Sequence, residues 1–480
     1  MASSIFSNYI NGAWVEGASS IVNRSPADTE DVVGRYAQAD ADQVDRAIAA
    51  AAAAQPAWAR SGLEERWRVL MAIGDELIAR KAELGEQLSR EEGKTLAEGV
   101  GEVHRSGQFF HYYAAEVLRQ LGETADSVRP GVEIEVRREP VGVVAIITPW
   151  NFPMATAAWK IAPALAFGNA VVFKPANAVP ASAWALTEII ARQPLPAGAF
   201  NLVMGSGAEV GERLIQSAAI QALSFTGSVE TGRRVAAATA ANFVRCQLEM
   251  GSKNALVVLD DADLPLAVEC AVNGAFFGTG QKCTASSRLI VTEGIHDRYV
   301  QALVERIGQL KVGHPLREGV HIGPVIDEGQ LARNLRYIEL ARAEGARLAC
   351  GGERIEDERP GYYMRPALFV DTRNDMRINR EEVFGPIACV IKARDYEDAL
   401  TMLNDTRFGL TAGIVTRSLR HASDFKRRAR TGCVMVNLPT AGTDYHVPFG
   451  GRGDSSFGPR EQGQYARDFY TAVKTVYIRP

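Results

Sequence analysis

The chain has 480 residues, of which 46% are hydrophobic and 23% charged, and a formal net charge of −4. The length predicts two or three domains, each burying its own core, in an ordinary globular composition. The mildly acidic balance excludes the basic footprint of a nucleic-acid binder. The longest apolar runs, such as VGVVAIIT at 141–148, are too short to span a bilayer.

The amino terminus lacks a basic stretch followed by an apolar core, so it does not read as a secretory signal. Six scattered cysteines, with no CxxC pair, suggest free thiols in a reducing cytoplasm. A cytoplasmic protein with no metal site is therefore expected. Arg452-Gly453-Asp454 reads as a polar turn.

From Asp40 to about Glu98 the pattern is helical, with Asp40 or Asp42 as the first cap and breaks at Gly62 and Gly93. A further helix is predicted from about Glu98 to Gln120. The β-branched run at 141–148 predicts a strand buried on both faces. Helix and strand then alternate: helix 154–167, strand 170–174, helix 182–192, strand 201–204, helix 208–217, strand 222–226, helix 229–240. The alternation resumes after Gly251 with ALVVL, RLIVT, ACVIKA, AGIVT and CVMVN. Two α/β domains with parallel sheets are implied, meeting near residue 251. Segments 122–140 and 465–480 alternate apolar and charged residues, as exposed strands would; paired, they leave an edge that subunit association can cover.

Gly205, Gly207 and Gly211 form a near miss to GxGxxG between a strand and a helix. The next such turn, FTGSVETG, offers close backbone approach at Gly227 and a helix start at Ser228 suited to a phosphate. Lys174 ends strand AVVFK and faces the same crevice. Together these favour a nucleotide site. Cys283 lies on a glycine-loosened loop, Glu249 near the end of an apolar strand, and Asn151 within TPWNFP. A thiol, a carboxylate and a side-chain amide at strand ends can make and then break a thioester, which points to an aldehyde as substrate.

TPWNFP, FKPA, FTGS, LEMGSKN, GQKC, EEVFGP and VPFGG stand in this order along the whole chain. In this the chain resembles the aldehyde dehydrogenase superfamily. The likeness implies a Rossmann-type cofactor domain (1–121 and 141–251), an α/β catalytic domain (252–450) and a small β oligomerisation arm (122–140 and 465–480) in a homodimer or homotetramer. Cys283 matches the nucleophile, Glu249 the general base and Asn151 the oxyanion donor beside the Cys283 backbone N–H. Lys160 resembles a lysine that supports proton movement, although a helix lysine is usually solvated. For the dinucleotide, the likeness implies Thr148, Pro149, Trp150, Gly207, Phe225, Gly227, Leu248 and Gly251 around the ring and phosphates. Lys174 matches the adenosine-ribose contact, Ser228 the pyrophosphate contact, Glu382 the nicotinamide-ribose contact and Phe384 the ring packed beside the nicotinamide.

Three departures bear on specificity. Asn177 stands where many NAD-dependent relatives have Glu. Its amide removes a repulsion of a 2′-phosphate worth roughly 4 kcal/mol at about 4 Å, so NADP is expected to be preferred and NAD accepted. Lys282 precedes the nucleophile, where it could lower the thiol pKa or steer an anion, and Arg105 offers a second anion contact. Phe277 and Trp159 occupy slots where succinate-semialdehyde oxidisers place arginines. The segment NLPTAGTDYHVPFGG with GQKCTASSR is similar to the bacterial branch that oxidises α-ketoglutaric semialdehyde (2,5-dioxopentanoate); there Phe152, Tyr445 and His446 would line the substrate mouth. The alternatives are a broad oxidiser of neutral aldehydes, another semialdehyde dehydrogenase, a non-catalytic relative and a coenzyme A acylating enzyme. The intact Cys283, Glu249 and Asn151 disfavour the last two.

Overall fold

The computed structural model describes residues 5–356 and 359–480. Two α/β lobes and a three-stranded arm follow from two large sheets. In the first lobe five parallel strands run in the order Arg245–Met250, Ala222–Gly227, Val143–Ile147, Ala170–Lys174, Phe200–Leu202. The order reverses between Val143–Ile147 and Ala222–Gly227, so the loops leaving these strands diverge and open a crevice at their carboxyl ends. The central strands Val143–Ile147 and Ala170–Lys174 are rich in β-branched residues and buried on both faces because apolar clusters cover each side.

Helices Ala41–Ala59, Leu63–Ala79, Lys81–Glu92 and Leu96–Val117 precede this sheet. Asp40 rather than Asp42 caps the first, accepting the Gln43 N–H at 2.9 Å. Breaks occur near Gly62 and Gly93 as expected, and also at Arg80, which the sequence did not signal. Short strands between Ile5 and Gln38 were also missed; two of them extend the first sheet. The expected helix 208–217 is a wide turn at Gly207–Gly211 followed by a short helix, Glu212–Gln216.

The second lobe has seven strands, in the order Arg347–Cys350, Ala367–Thr372, Ile387–Ala393, Ser286–Thr292, Asn254–Val258, Thr411–Val415, Cys433–Val436. The chain then returns to the first lobe, where Ser456–Phe457 pairs antiparallel with Arg245–Met250. Ala466, Phe469 and Tyr470 join the first lobe's core. The carboxyl-terminal arm strand therefore begins at Thr471, not at 465, and runs to Ile478 antiparallel to Glu133–Pro140. Val473 and Tyr477 on it are exposed.

Candidate active site

A cavity of about 170 Å³ opens where the first sheet's strand order reverses. Pro149 to Phe152 line it from the loop after Val143–Ile147, and Thr226 to Ser228 from the end of Ala222–Gly227. Glu249 to Gly251 come from the next strand, and Cys283, Glu382 and Phe384 from the second lobe. Strand ends of two sheets thus bring together groups more than a hundred residues apart.

Cys283 follows Gly278, Thr279 and Gly280, whose φ values of 61°, 55° and 66° fold the loop back on itself. The threonine is held in a left-handed conformation that disfavours side chains, a local strain at the nucleophile's loop. Cys283 faces the cavity, yet protein atoms crowd its sulfur. Burial, with the Glu382 and Glu249 carboxylates adding to it, pushes the thiol up to about 12. The expected lowering by Lys282 is not what the geometry provides. The Lys282 ammonium turns away and donates to the Asn273 carbonyl at 2.8 Å, and burial pushes it down to about 8.

Asn151 Nδ2 donates to the Gln281 carbonyl at 2.9 Å, leaving its second N–H for the cavity. Glu249 Oε2 accepts from Ser456 Oγ at 2.6 Å. Burial first, and the Glu461 carboxylate second, hold Glu249 well above the usual carboxylate range. Lys160 is not solvated. Its side chain has 0% exposure and bonds Glu461 and, at 2.8 Å, Ser224 Oγ. Glu461 and Ser456 escaped the sequence reading; they lie between VPFGG and the carboxyl-terminal strand, in a stretch that carries no motif of its own.

Glu382 Oε1 accepts the Ser252 N–H at 2.9 Å, and a Cβ on Gly251 would collide with its carboxylate. Phe384, at a φ of 63°, stands edge-on to Trp150 with ring centroids 5.3 Å apart. Ser228 caps helix Val229–Ala241, accepting the Thr231 N–H at 3.3 Å. The hydroxyl oxygens of Thr148 and Thr226 are buried at the strand ends with no partner among the described residues. Orphaned donors beside a helix start fit a dinucleotide in this crevice. Two of the expected contacts do not present their side chains to the cavity. The side chains of Phe225 and Leu248 lie in the core on the sheet face opposite Thr226 and Glu249, because strand side chains alternate, and neither lines the cavity. Gly207, Lys174 and Asn177 lie outside this cavity. A Cβ on Gly207 would meet open space, whereas the buried Lys174 ammonium bonds the Pro175 carbonyl at 2.9 Å. Burial pushes that ammonium down to about 8.

Phe152, Trp159, Leu410 and Phe449 give the other end of the cavity apolar walls. A run of rings leads outward from it: Trp159 meets Phe109 at 5.9 Å, and Phe109 meets Tyr445 at 6.4 Å. The Arg105 guanidinium lies 5.3 Å from the Tyr445 ring centre, with no carboxylate partner among the described residues. His446 is exposed and packs edge-on to Tyr445 at 5.5 Å.

A doubly wound lobe facing a second α/β lobe, with a thiol, an amide and a buried carboxylate in the cleft, defines a thiol-dependent oxidoreductase of aldehydes. The chain belongs to the aldehyde dehydrogenase family, whose profile matches residues 14–476. It is 41% identical to alpha-ketoglutaric semialdehyde dehydrogenase of Bacillus subtilis (strain 168), over 98% of each chain. It is 37% identical to betaine aldehyde dehydrogenase of Mesorhizobium japonicum, over 98% of this chain and 97% of that one. A crystal structure of Staphylococcus aureus betaine aldehyde dehydrogenase in complex with NAD+ superposes with a TM-score of 0.97 at 32% identity, covering 100% of this chain and 95% of that one.

Proposed function

We propose that this enzyme oxidises an acidic semialdehyde, 2,5-dioxopentanoate, to 2-oxoglutarate, with NADP preferred and NAD accepted. The observation that carries the substrate class is the Arg105 guanidinium, without a carboxylate partner among the described residues, at the end of the run of rings that starts at Trp159 in the cavity wall. A semialdehyde puts an aldehyde at one end and a carboxylate at the other, and a thiol in the cavity with a cation beyond its aromatic wall can serve the two ends. The likeness to alpha-ketoglutaric semialdehyde dehydrogenase supports the same class. The Lys282 ammonium, which bonds the Asn273 carbonyl, supports this reading less directly than Arg105 does. A second reading, a neutral or quaternary-ammonium aldehyde, draws on the aromatic walls and the betaine aldehyde relatives.

After the Cys283 thiol gives its proton to water, its Sγ adds to the aldehyde carbon, and the oxygen of the thiohemiacetal takes negative charge between the Asn151 amide and the Cys283 N–H. When bound, the dinucleotide supplies an oxidised nicotinamide that accepts the hydride. Glu249 then takes a proton from the water that hydrolyses the thioester on Cys283. Burial raises its affinity for a proton, which makes it a stronger base than an exposed carboxylate. Asn177, which carries no charge to repel a 2′-phosphate, and the Lys174 ammonium support the NADP preference. Open strand edges at Cys433–Val436 and Thr471–Ile478 support a homodimer or homotetramer.

Reduced-cofactor formation with 2,5-dioxopentanoate, succinic and glutaric semialdehydes, betaine aldehyde and propanal, each with NAD and NADP, tests this reading. The dioxo acid with NADP should give the highest kcat/KM. Equal or better turnover of propanal or betaine aldehyde would discard the substrate, and a higher kcat/KM with NAD would discard the cofactor preference.

A further inference from the structure

The corner between helices Lys81–Glu92 and Leu96–Val117 lies beside the cavity without lining it, yet it carries buried charge. Lys94 is 4% exposed and Glu102 5%. The Lys94 ammonium donates to Glu102 Oε2 at 2.6 Å and to the backbone carbonyl of Asn151 at 2.7 Å. It also lies 4.0 Å from the centre of the Phe152 ring. The other Glu102 oxygen accepts the N–H groups of Met154 and Ala155, at 2.9 and 3.1 Å. These head helix Ala155–Ala166, so the carboxylate also meets the positive end of the helix dipole. The Lys94 ammonium, which also lies 3.8 Å from the Glu92 carboxylate, and Glu102 Oε1 thus both hold the turn that presents Asn151.

The same corner reaches the nucleophile's loop. Glu98 Oε1 accepts the Gly278 N–H at 2.7 Å, while its Oε2 accepts from the Thr95 N–H at 3.0 Å and hydroxyl at 2.9 Å. Asn151 Nδ2 closes the ring by donating to Gln281 O at 2.9 Å. Asn151 belongs to the first lobe and Cys283 to the second. The distance between the two oxyanion donors is therefore a distance between lobes, which neither sheet fixes alone.

We propose that the Glu92–Glu102 corner is a positioning bracket for the oxyanion site: Lys94, braced by Glu102, sets Asn151, and Glu98 sets the Cys283 loop against it. Oxyanion donors act only when held at the place the charged oxygen will occupy, so a shift of some tenths of an ångström lowers turnover before it lowers ground-state binding. None of the three is a catalytic residue; each acts through the backbone it holds.

This inference rests on the assignment of Asn151 and Cys283 but not on the substrate, so any turned-over aldehyde serves. The test variant is the double substitution Lys94→Met with Glu102→Gln, which removes both buried charges and keeps an acceptor for Met154 and Ala155. Its kcat should fall at least tenfold, with KM for the dinucleotide within twofold and the rate of Cys283 alkylation by iodoacetamide within twofold. A kcat within twofold of the parent in a folded double variant would overturn the proposal. So would a loss of alkylation equal to the loss of kcat, which would mean the loop had simply collapsed. Glu98→Ala, at a half-exposed position, is expected to fold even if the double variant does not. It should lose about fivefold in kcat with alkylation unchanged, and an unchanged kcat would overturn the inter-lobe strap. Asn151→Ala is the control: if it leaves kcat intact, the donor assignment has failed rather than the bracket.

Discussion

On the cavity floor Lys160 gives its ammonium to Glu461 and Ser224 out of contact with water, whereas at the mouth Arg105 lies over the Tyr445 ring and meets no carboxylate among the described residues. The two cations teach different things. A buried charge satisfied by the protein is committed, because removing its partner leaves an ion where desolvation is severe. A half-exposed charge with no internal partner costs little to keep and remains available to a ligand. The floor therefore couples chemistry to stability, and the mouth carries recognition almost free of it.

Glu249→Gln should produce the largest change. A glutamine cannot take the proton from water, so the thioester should accumulate: one equivalent of reduced cofactor in a burst, then steady turnover lower by about 10²–10⁴. Rapid-quench or stopped-flow absorbance reads it directly, and full turnover without a burst would remove Glu249 from its role.

The contrast between the lysine and the arginine can be broken by stability measurements. Lys160→Met should cost about 3–5 kcal/mol by leaving Glu461 buried and unpaired, while Arg105→Met should change the denaturant midpoint by less than the equivalent of about 0.5 kcal/mol. Similar losses from both would erase the distinction drawn between floor and mouth.

Kinetics sharpen the same contrast. Arg105→Met should raise KM for an acid-terminated aldehyde about tenfold, the loss of one charge-assisted contact, and leave propanal within about twofold. Lys282→Met should alter neither by more than about threefold, because its ammonium already holds the Asn273 carbonyl. A larger selective effect at Lys282 than at Arg105 would reverse the assignment of the anion contact.

The smallest effect concerns pH. Burial lowers the Lys174 ammonium to about 8, so its charge is present below that pH and lost as the pH rises through it. KM for NADP should rise about threefold between pH 7 and 9 as the attraction to the 2′-phosphate disappears, with KM for NAD nearly constant. Parallel rises for both cofactors would detach Lys174 from the phosphate.

The α/β alternation was legible because continuous β-branched runs such as VVAII fit a strand buried on both faces. The nucleophile was legible because its loop is local: the glycines that let it turn sit within five residues of Cys283. The placing of Phe225 and Leu248 on the sheet face opposite Thr226 and Glu249 was legible in principle, since strand side chains alternate. What could not be read is the pairing of Lys160 with Glu461, 301 residues away, or of Lys94 with the Asn151 carbonyl, 57 residues away. Nor could the direction of Lys282 be read, since a flexible side chain beside the thiol can point into the cavity or away from it.

By itself, then, the sequence determined the α/β alternation, the family and the chemical parts of the site, because local conformation and short motifs depend on neighbours in the chain. The tertiary structure alone decided which charges are spent inside the protein and which remain for a ligand. That depends on desolvation and on partners brought together by the closure of two lobes, and neither is a property of any local stretch of residues.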